Sequence, residues 1–232
     1  MQSIQQFILI CVIYQNTCKS LPKNRFNDQD EKKALTLKGI QHLLSNLRGK
    51  IVAKNEIVLN LEKEGEILTF FGEPDSKAPA VEFNCVLAPG AKGPDPHVHT
   101  VQTETFHVTS GTMIARIKGQ EDVTLTQGEK IVIPPGKVHS FTNGSKDEPL
   151  VTRIVVEPAL DFQWFLSEAA KSAIRNGGSW KASPLLEVGH LMWLSSDQHR
   201  IGLPLFVEYL LFGSLSILAR MTGKAKNIAP KP

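Results

Sequence analysis

The stretch PHVHTVQTETFHVTSG, residues 96–111, and the later stretch GEKIVIPPGKVHSFTN, residues 128–143, decide the fold. Between them they hold His97, His99, Glu104 and His139. Each of the four lies in sequence with strand character, where apolar and β-branched residues alternate with polar ones. Residues two apart on a strand face the same side, so His97 and His99 aim both imidazoles into one space. Glu104 follows after a short turn, and His139 comes from a third segment, just past the turn Pro134-Pro135-Gly136. If these strands surround a common interior, the four side chains converge there. Neutral imidazole with carboxylate is a donor set for a divalent first-row transition metal: Fe, Mn, Ni, Cu or Zn. Such an ion, held by these side chains, keeps open positions for water, dioxygen or a chelating substrate.

The same short period extends on both sides. Ile57, Leu59 and Leu61 alternate with polar neighbours, and runs at 66–71 and 81–87 are each closed by Gly or Pro. Further strands are expected at 104–110, 112–117, 122–125, 130–133, 139–142 and 150–157. Gly111, Gly119, Gly128, Gly136 and Gly144 punctuate them. Short strands with turn signals at this spacing predict an all-β sandwich or barrel. The sequence has no Gly-rich phosphate loop and no internal repeat.

The two stretches resemble the two motifs of the cupins, a superfamily of jelly-roll β-barrels. The first cupin motif reads Gly, five residues, His-x-His, three or four residues, Glu, six residues, Gly. Here His97-x-His99 is followed after four residues by Glu104 and after six more by Gly111. The second motif reads Gly, five residues, Pro-x-Gly, two residues, His, three residues, Asn. Gly128, Pro134, Gly136, His139 and Asn143 match it in full. The leading Gly of the first motif is displaced: Gly90 lies one residue too far from His97 and Gly93 too close. That Gly shapes a turn and binds no metal, so the ligand set does not depend on it. The resemblance covers residues 55–157, and the short gap between motifs, 112–127, is similar to that of small single-domain bacterial cupins.

This resemblance implies a jelly-roll barrel over residues 51–158 with a metal held by His97, His99, Glu104 and His139. Through the quercetinase-like cupins it implies a metal-dependent dioxygenase-like enzyme on a small chelating enol or diol substrate. Glu104 would then be the catalytic residue, alternating between ligand and general base. Two other classes stand beside that one. A small-molecule-binding or sensing cupin would hold its ligand without turnover. A non-oxidative isomerase or lyase would add a general base, or an anion-binding Lys or Arg, to the cavity; Arg116 or Arg153 facing inward would point to it. Cupin barrels often dimerise, so a homodimer is a further expectation. Phe106 shares the face of Glu104, and Phe141 is two residues from His139; both are expected to line the substrate cavity, although barrel filling accounts for them equally well. His107, three residues from Glu104, belongs on the outer face. His42, His190 and His199 fall in helical or linker sequence and read as surface or core histidines.

The flanks differ in period. Residues 1–50 form an N-terminal extension. Within it FILICVIY, residues 7–14, has the length of a signal-peptide core and is too short to span a bilayer. No Lys or Arg precedes it and no small-residue cleavage site follows, so secretion is the weaker reading. A helix is expected at about 30–48, where Leu37, Ile40, Leu44 and Leu47 share a face and Gly49 ends it. Residues 159–232 return to a helical period. Asp161 is a candidate N-cap, Phe162, Phe165, Leu166, Ala169 and Ala173 form a stripe, and a second helix starts near Ser183-Pro184. The apolar stretch 203–219 contains Glu208 and is followed by Lys224, Lys226 and Lys231. It has three readings: a membrane span, disfavoured by its length and by Glu208; an interfacial helix meeting anionic lipid; or a helix packed on the barrel or across a dimer.

The 232 residues, 41% hydrophobic, suffice for one domain with elaborations. A net charge of only +3, with Lys and Arg scattered, predicts a small-molecule partner and no nucleic acid. Cys11, Cys18 and Cys85 follow no spacing motif, which argues against a disulfide scaffold. The expectation is a cytoplasmic protein, with peripheral membrane contact only through the C-terminal segment.

Overall fold

Alternating side chains build the strands close to where the sequence predicts them. The computed structural model describes residues 56–232; the segment 7–14, the helix expected at about 30–48, Cys11 and Cys18 lie outside the described residues. The strands are β1 (Glu56–Leu61), β2 (Glu66–Phe71), β3 (Val81–Leu87), β4 (Val98–His99), β5 (Thr103–Ser110), β6 (Thr112–Ile117), β7 (Val123–Thr126), β8 (Lys130–Ile133), β9 (His139–Asn143) and β10 (Leu150–Glu157). A short β11 (His199–Arg200) comes much later and was not expected.

One antiparallel sheet has the order β1-β2-β3-β10-β5-β8, a second β7-β6-β9, and β11 pairs with β4. Isolated bridges Lys92↔Thr142 and His97↔His139 lay the segment before β4 alongside β9. The inner faces of the two larger sheets share one hydrophobic core. Leu68, Phe70, Phe83, Phe106 and Ile154 come from the large sheet, and Met113, Ala115, Ile117 and Phe141 from the small one. This is the jelly-roll arrangement with C-terminal helices. It is realised as facing sheets: among the described residues the hydrogen-bonded ladder does not run continuously around a barrel.

Polar residues of the second stretch tie the sheets together. The Asn143 amide donates to the carbonyls of Leu87, Ala88 and Glu148 at 3.2, 3.0 and 2.8 Å, and its oxygen accepts from the Ser145 N–H at 2.8 Å. One buried side chain thereby ties together the end of β3, the turn after β9 and the approach to β10. The Gly136 N–H donates to the His99 carbonyl at 2.8 Å, which holds the Pro-Pro-Gly turn against β4.

Three helices follow the sheets: α1 (Phe162–Arg175), α2 (Leu185–Leu194) and α3 (Leu205–Met221). Phe162, Ala170 and Ala173 of α1 join the sheet core. Asp161 occupies the N-cap position but makes no capping hydrogen bond. Its carboxylate meets the Lys231 ammonium instead. α2 and α3 pack so closely that a Cβ on Gly189 would lie 2.4 Å from Leu215 Cβ. His190 Nδ1 and Ser216 Oγ, 2.8 Å apart, add a polar contact between them. Glu208 is consumed locally, accepting from the Leu203 N–H at 2.8 Å and from Arg200 Nε at 3.2 Å. The stretch 203–219 therefore packs on α2 through one side. No helix among the described residues is long and apolar enough to cross a membrane. The other side of α3 exposes Phe206, Leu210, Ile217 and Met221.

Candidate metal centre

Strand phase and one backbone bridge assemble the site. In β5 the burial alternates so that Glu104, Phe106 and Val108 point inward. In β9 it alternates so that His139 and Phe141 do. His97 and His139 exchange backbone hydrogen bonds, N–H to O=C, at 3.1 and 3.0 Å, which sets their rings side by side with centroids 4.4 Å apart. His99 follows two residues later on β4, its ring 4.9 Å from that of His97. One ligand atom from each of His97, His99, Glu104 and His139 lies within 4.8 Å of the others. The four residues singled out in the sequence are brought together.

Backbone carbonyls set the imidazole tautomers. His97 Nδ1 lies 2.9 Å from the Asp95 carbonyl and His139 Nδ1 lies 3.0 Å from the Lys137 carbonyl. A carbonyl only accepts, so each Nδ1 carries a proton. His97 Nε2 keeps its lone pair for the interior, whereas His139 Nε2 donates to the Glu104 carboxylate when that ring is protonated, a proton that a bound cation would replace. Glu104 Oε2 is 2.7 Å from His139 Nε2 and 3.4 Å from His99 Nε2. The longer approach lacks hydrogen-bond alignment, so both nitrogens of the buried His99 ring are without a hydrogen-bond partner. Burying such groups unpaired costs about 1–3 kcal/mol each, a penalty that a bound cation removes.

Electrostatics favour the same occupant. Burial pushes the His97 imidazole down to about 3, and the neighbouring His99 and His139 push the same way. The ring is therefore neutral and available as a ligand at ordinary pH. Burial works against the Glu104 carboxylate, but the hydrogen bond from His139 and the closeness of the His99 ring outweigh it and hold the group below the usual carboxylate range. Burial also opposes charge on His139, and the Glu104 carboxylate reverses that, raising it. Three neutral-capable imidazoles and an ionised carboxylate fit a divalent transition metal.

The site opens into a cavity of about 370 Å³. Phe141 lines it, together with Phe83, Phe162, Phe165 and Trp180. Phe106 is not in the lining; it packs against Phe141, ring centroids 5.0 Å apart, as part of the core. Arg116 and Arg153 do not face inward. They pair on the surface with Asp122 at 3.0 Å and Glu82 at 3.3 Å. His107 lies on the outer face with Arg153 and Lys130 near it.

Glu66 and His199 are among the residues that line the cavity without a place in the sequence-derived site. Glu66 is in phase with Leu68 and Phe70 on β2 and 2% exposed. Trp180 Nε1 donates to its Oε2 at 2.7 Å, and Cys85 Sγ approaches Oε1 at 3.7 Å. Burial pushes the Glu66 carboxyl up to about 7, partly offset by the Trp180 and Cys85 hydrogen bonds. A carboxyl in step with two core side chains is a signal that alternation alone contains. His199 has no such signal. It reaches the site because β11 pairs with β4 and sets His199 opposite His99. Lys92, Lys181 and Arg200 also border the cavity.

Residues 83–157 match the model of the cupin domain. Among solved structures, Streptomyces PAC13 with uridine is similar at 22% identity and a TM-score of 0.39, over 49% of this chain and 84% of that one. KdgF from Halomonas sp. is similar at 19% identity and a TM-score of 0.40, over 49% and 94%. An RmlC-like cupin from Shewanella frigidimarina is similar at 16% identity and a TM-score of 0.39, over 47% and 89%. No curated protein matches the sequence.

Proposed function

We propose, from the groups that converge in the cavity, a metal-dependent enzyme that shifts a proton on a small chelating enol or diol substrate, an isomerase or lyase. The observation that carries this reading is Glu66, a deeply buried carboxyl lining the cavity that His97, His99 and Glu104 also line. A divalent ion held by His97, His99, Glu104 and His139 supplies Lewis acidity and a template for substrate oxygens. The remaining work belongs to side chains. Glu66, near 7, can give or take a proton at neutral pH, where general acid–base catalysis works best. Trp180 Nε1 fixes one of its oxygens. Phe83, Phe141, Phe162 and Trp180 make the walls apolar and flat, which limits water around the reacting bond. Lys92 borders the same cavity and supplies the positive charge that such an enzyme uses to hold an anionic substrate.

Solvent exchange tests it. Metal-loaded protein in D₂O should exchange the α-hydrogen of simple hydroxyketones, and Glu66→Gln should lose that exchange by about a hundredfold or more with its metal retained. Unchanged exchange in the variant would remove Glu66 from the mechanism. The aromatic walls favour one second reading, the dioxygenase-like reaction on flavonols or catechols, with Glu104 alternating between ligand and base. Oxygen uptake with these compounds by the Fe, Mn, Ni or Cu forms would select it. Binding without exchange or uptake would select a binding protein.

The Glu66 carboxyl also predicts a pH dependence of stability. Its folded value near 7 lies above the ordinary 4.5, so between these two pH values the folded state holds a proton that the unfolded state has released. Stability falls as pH rises through that window, by about 3 kcal/mol from this group alone. In Glu66→Gln, denaturation between pH 4.5 and 7 should show that decline flattened. An unaltered profile would mean that the carboxyl ionises in the fold as it does in water.

A further inference from the structure

The described chain returns to the metal centre a hundred residues after His99. β11 lays His199 directly opposite His99, and the connection is fastened from several sides. The Thr100 N–H donates to the Gln198 carbonyl at 2.8 Å, and the Gln198 side-chain oxygen accepts from the Gln102 amide at 3.2 Å and from the Asp161 N–H at 3.3 Å. The His199 ring lies flat on Phe165, centroids 4.2 Å apart and planes at 13°, and meets the His99 ring edge-on at 5.3 Å. Packing on both sides holds its orientation. The residue is 5% exposed and lines the cavity, yet neither ring nitrogen has a hydrogen-bond partner. It also lies outside the group of four ligand residues.

An imidazole so buried, and so firmly oriented, is wasteful as filling: a phenyl ring would stack on Phe165 equally well and leave no polar atom unpaired. The residue lines a cavity that also holds metal-ligand candidates, and both of its nitrogens are unpartnered. We infer that His199 is a positioning residue that hydrogen-bonds an oxygen of a small enol or diol ligand chelated at the metal centre, so that the C-terminal segment, and not the sheets alone, builds the ligand site. The imidazole offers one N–H and one lone pair. A ligand with adjacent hydroxyl and carbonyl or enolate oxygens matches both the metal and this donor. The inference depends on the metal reading above.

Nickel-loaded protein titrated with nitrocatechol, whose absorbance changes on chelation, tests it beside metal analysis and thermal denaturation of the metal-free protein. His199→Phe keeps the ring stack and removes the nitrogens. It should retain wild-type nickel content, denature at a temperature no lower than wild type, and bind nitrocatechol about tenfold or more weakly. His199→Gln, whose amide can donate, should recover part of that affinity; it also serves as the test should the Phe variant fold poorly. Wild-type affinity in both variants would overturn the inference while leaving the metal centre intact. Nickel lost from the variants would overturn it by making His199 a ligand. Wild-type protein that takes up no nickel would overturn the metal reading and this inference with it.

Discussion

His97→Ala protein should purify without the divalent metal that the wild type retains, and added metal should no longer raise its Tm. His97 offers a neutral Nε2 to the common space, with Nδ1 committed to the Asp95 carbonyl. Its removal takes away one donor and leaves no charge stranded. His139 is a poorer choice for this test: it lies 2.7 Å from Glu104 within the buried site, and its loss would leave an unpaired carboxylate costing about 3–5 kcal/mol. Binding to the folded state at a thousandfold excess over Kd stabilises by about 4 kcal/mol, which for a domain of this size is roughly 10 °C in Tm. Wild type should show that rise with added metal and His97→Ala should not. Equal metal content and equal shifts in both proteins would exclude His97 from any metal centre.

Gly111→Ala should destabilise the domain by about 3 kcal/mol or more, read as a lower urea midpoint at unchanged slope. Gly111 joins β5 to β6 with φ +84°, in the left-handed region that a side chain enters at a cost of about 1–2 kcal/mol. A Cβ there would also stand 2.4 Å from the Pro149 carbonyl oxygen and 3.0 Å from Leu150 Cα. Both are backbone atoms at the start of β10, which pairs with β3 and β5 and cannot yield without disturbing two ladders. Gly119→Ala is the control. It has nearly the same φ, +86°, but nothing within 4 Å of its Cβ, so it should lose only about 1 kcal/mol. Equal losses in the two variants would show that the Pro149 contact costs nothing.

Gly111 also shows why a motif was legible. Its spacing from Glu104 belongs to the first motif, and the structure supplies a physical cause: the chain reverses here with positive φ directly against Pro149. Asn143 is a comparable case, since one amide serves three carbonyls where the sheets separate. Glu66 was legible but unread. Alternation with Leu68 and Phe70 places it inside, whereas a carboxylate seen alone is taken for surface.

The residue pattern by itself indicated the main strands, the turns between them and the four residues His97, His99, Glu104 and His139 that the structure brings together. These are short-range consequences of period-two alternation and turn geometry, and local sequence contains them. Only tertiary structure decided which groups share the cavity with that set. Phe106 and Phe141 have the same inward phase, yet Phe141 faces the open space and Phe106 packs against its ring. Arg116 and Arg153 lie on strands like the ligands but face out. His199 reaches His99 through a two-residue strand pairing across a long stretch of intervening chain. The apolar stretch 203–219 settles on α2 because Gly189 lets α3 approach and Glu208 is satisfied by Leu203 and Arg200. Such contacts depend on which surfaces meet, and no local period encodes that meeting.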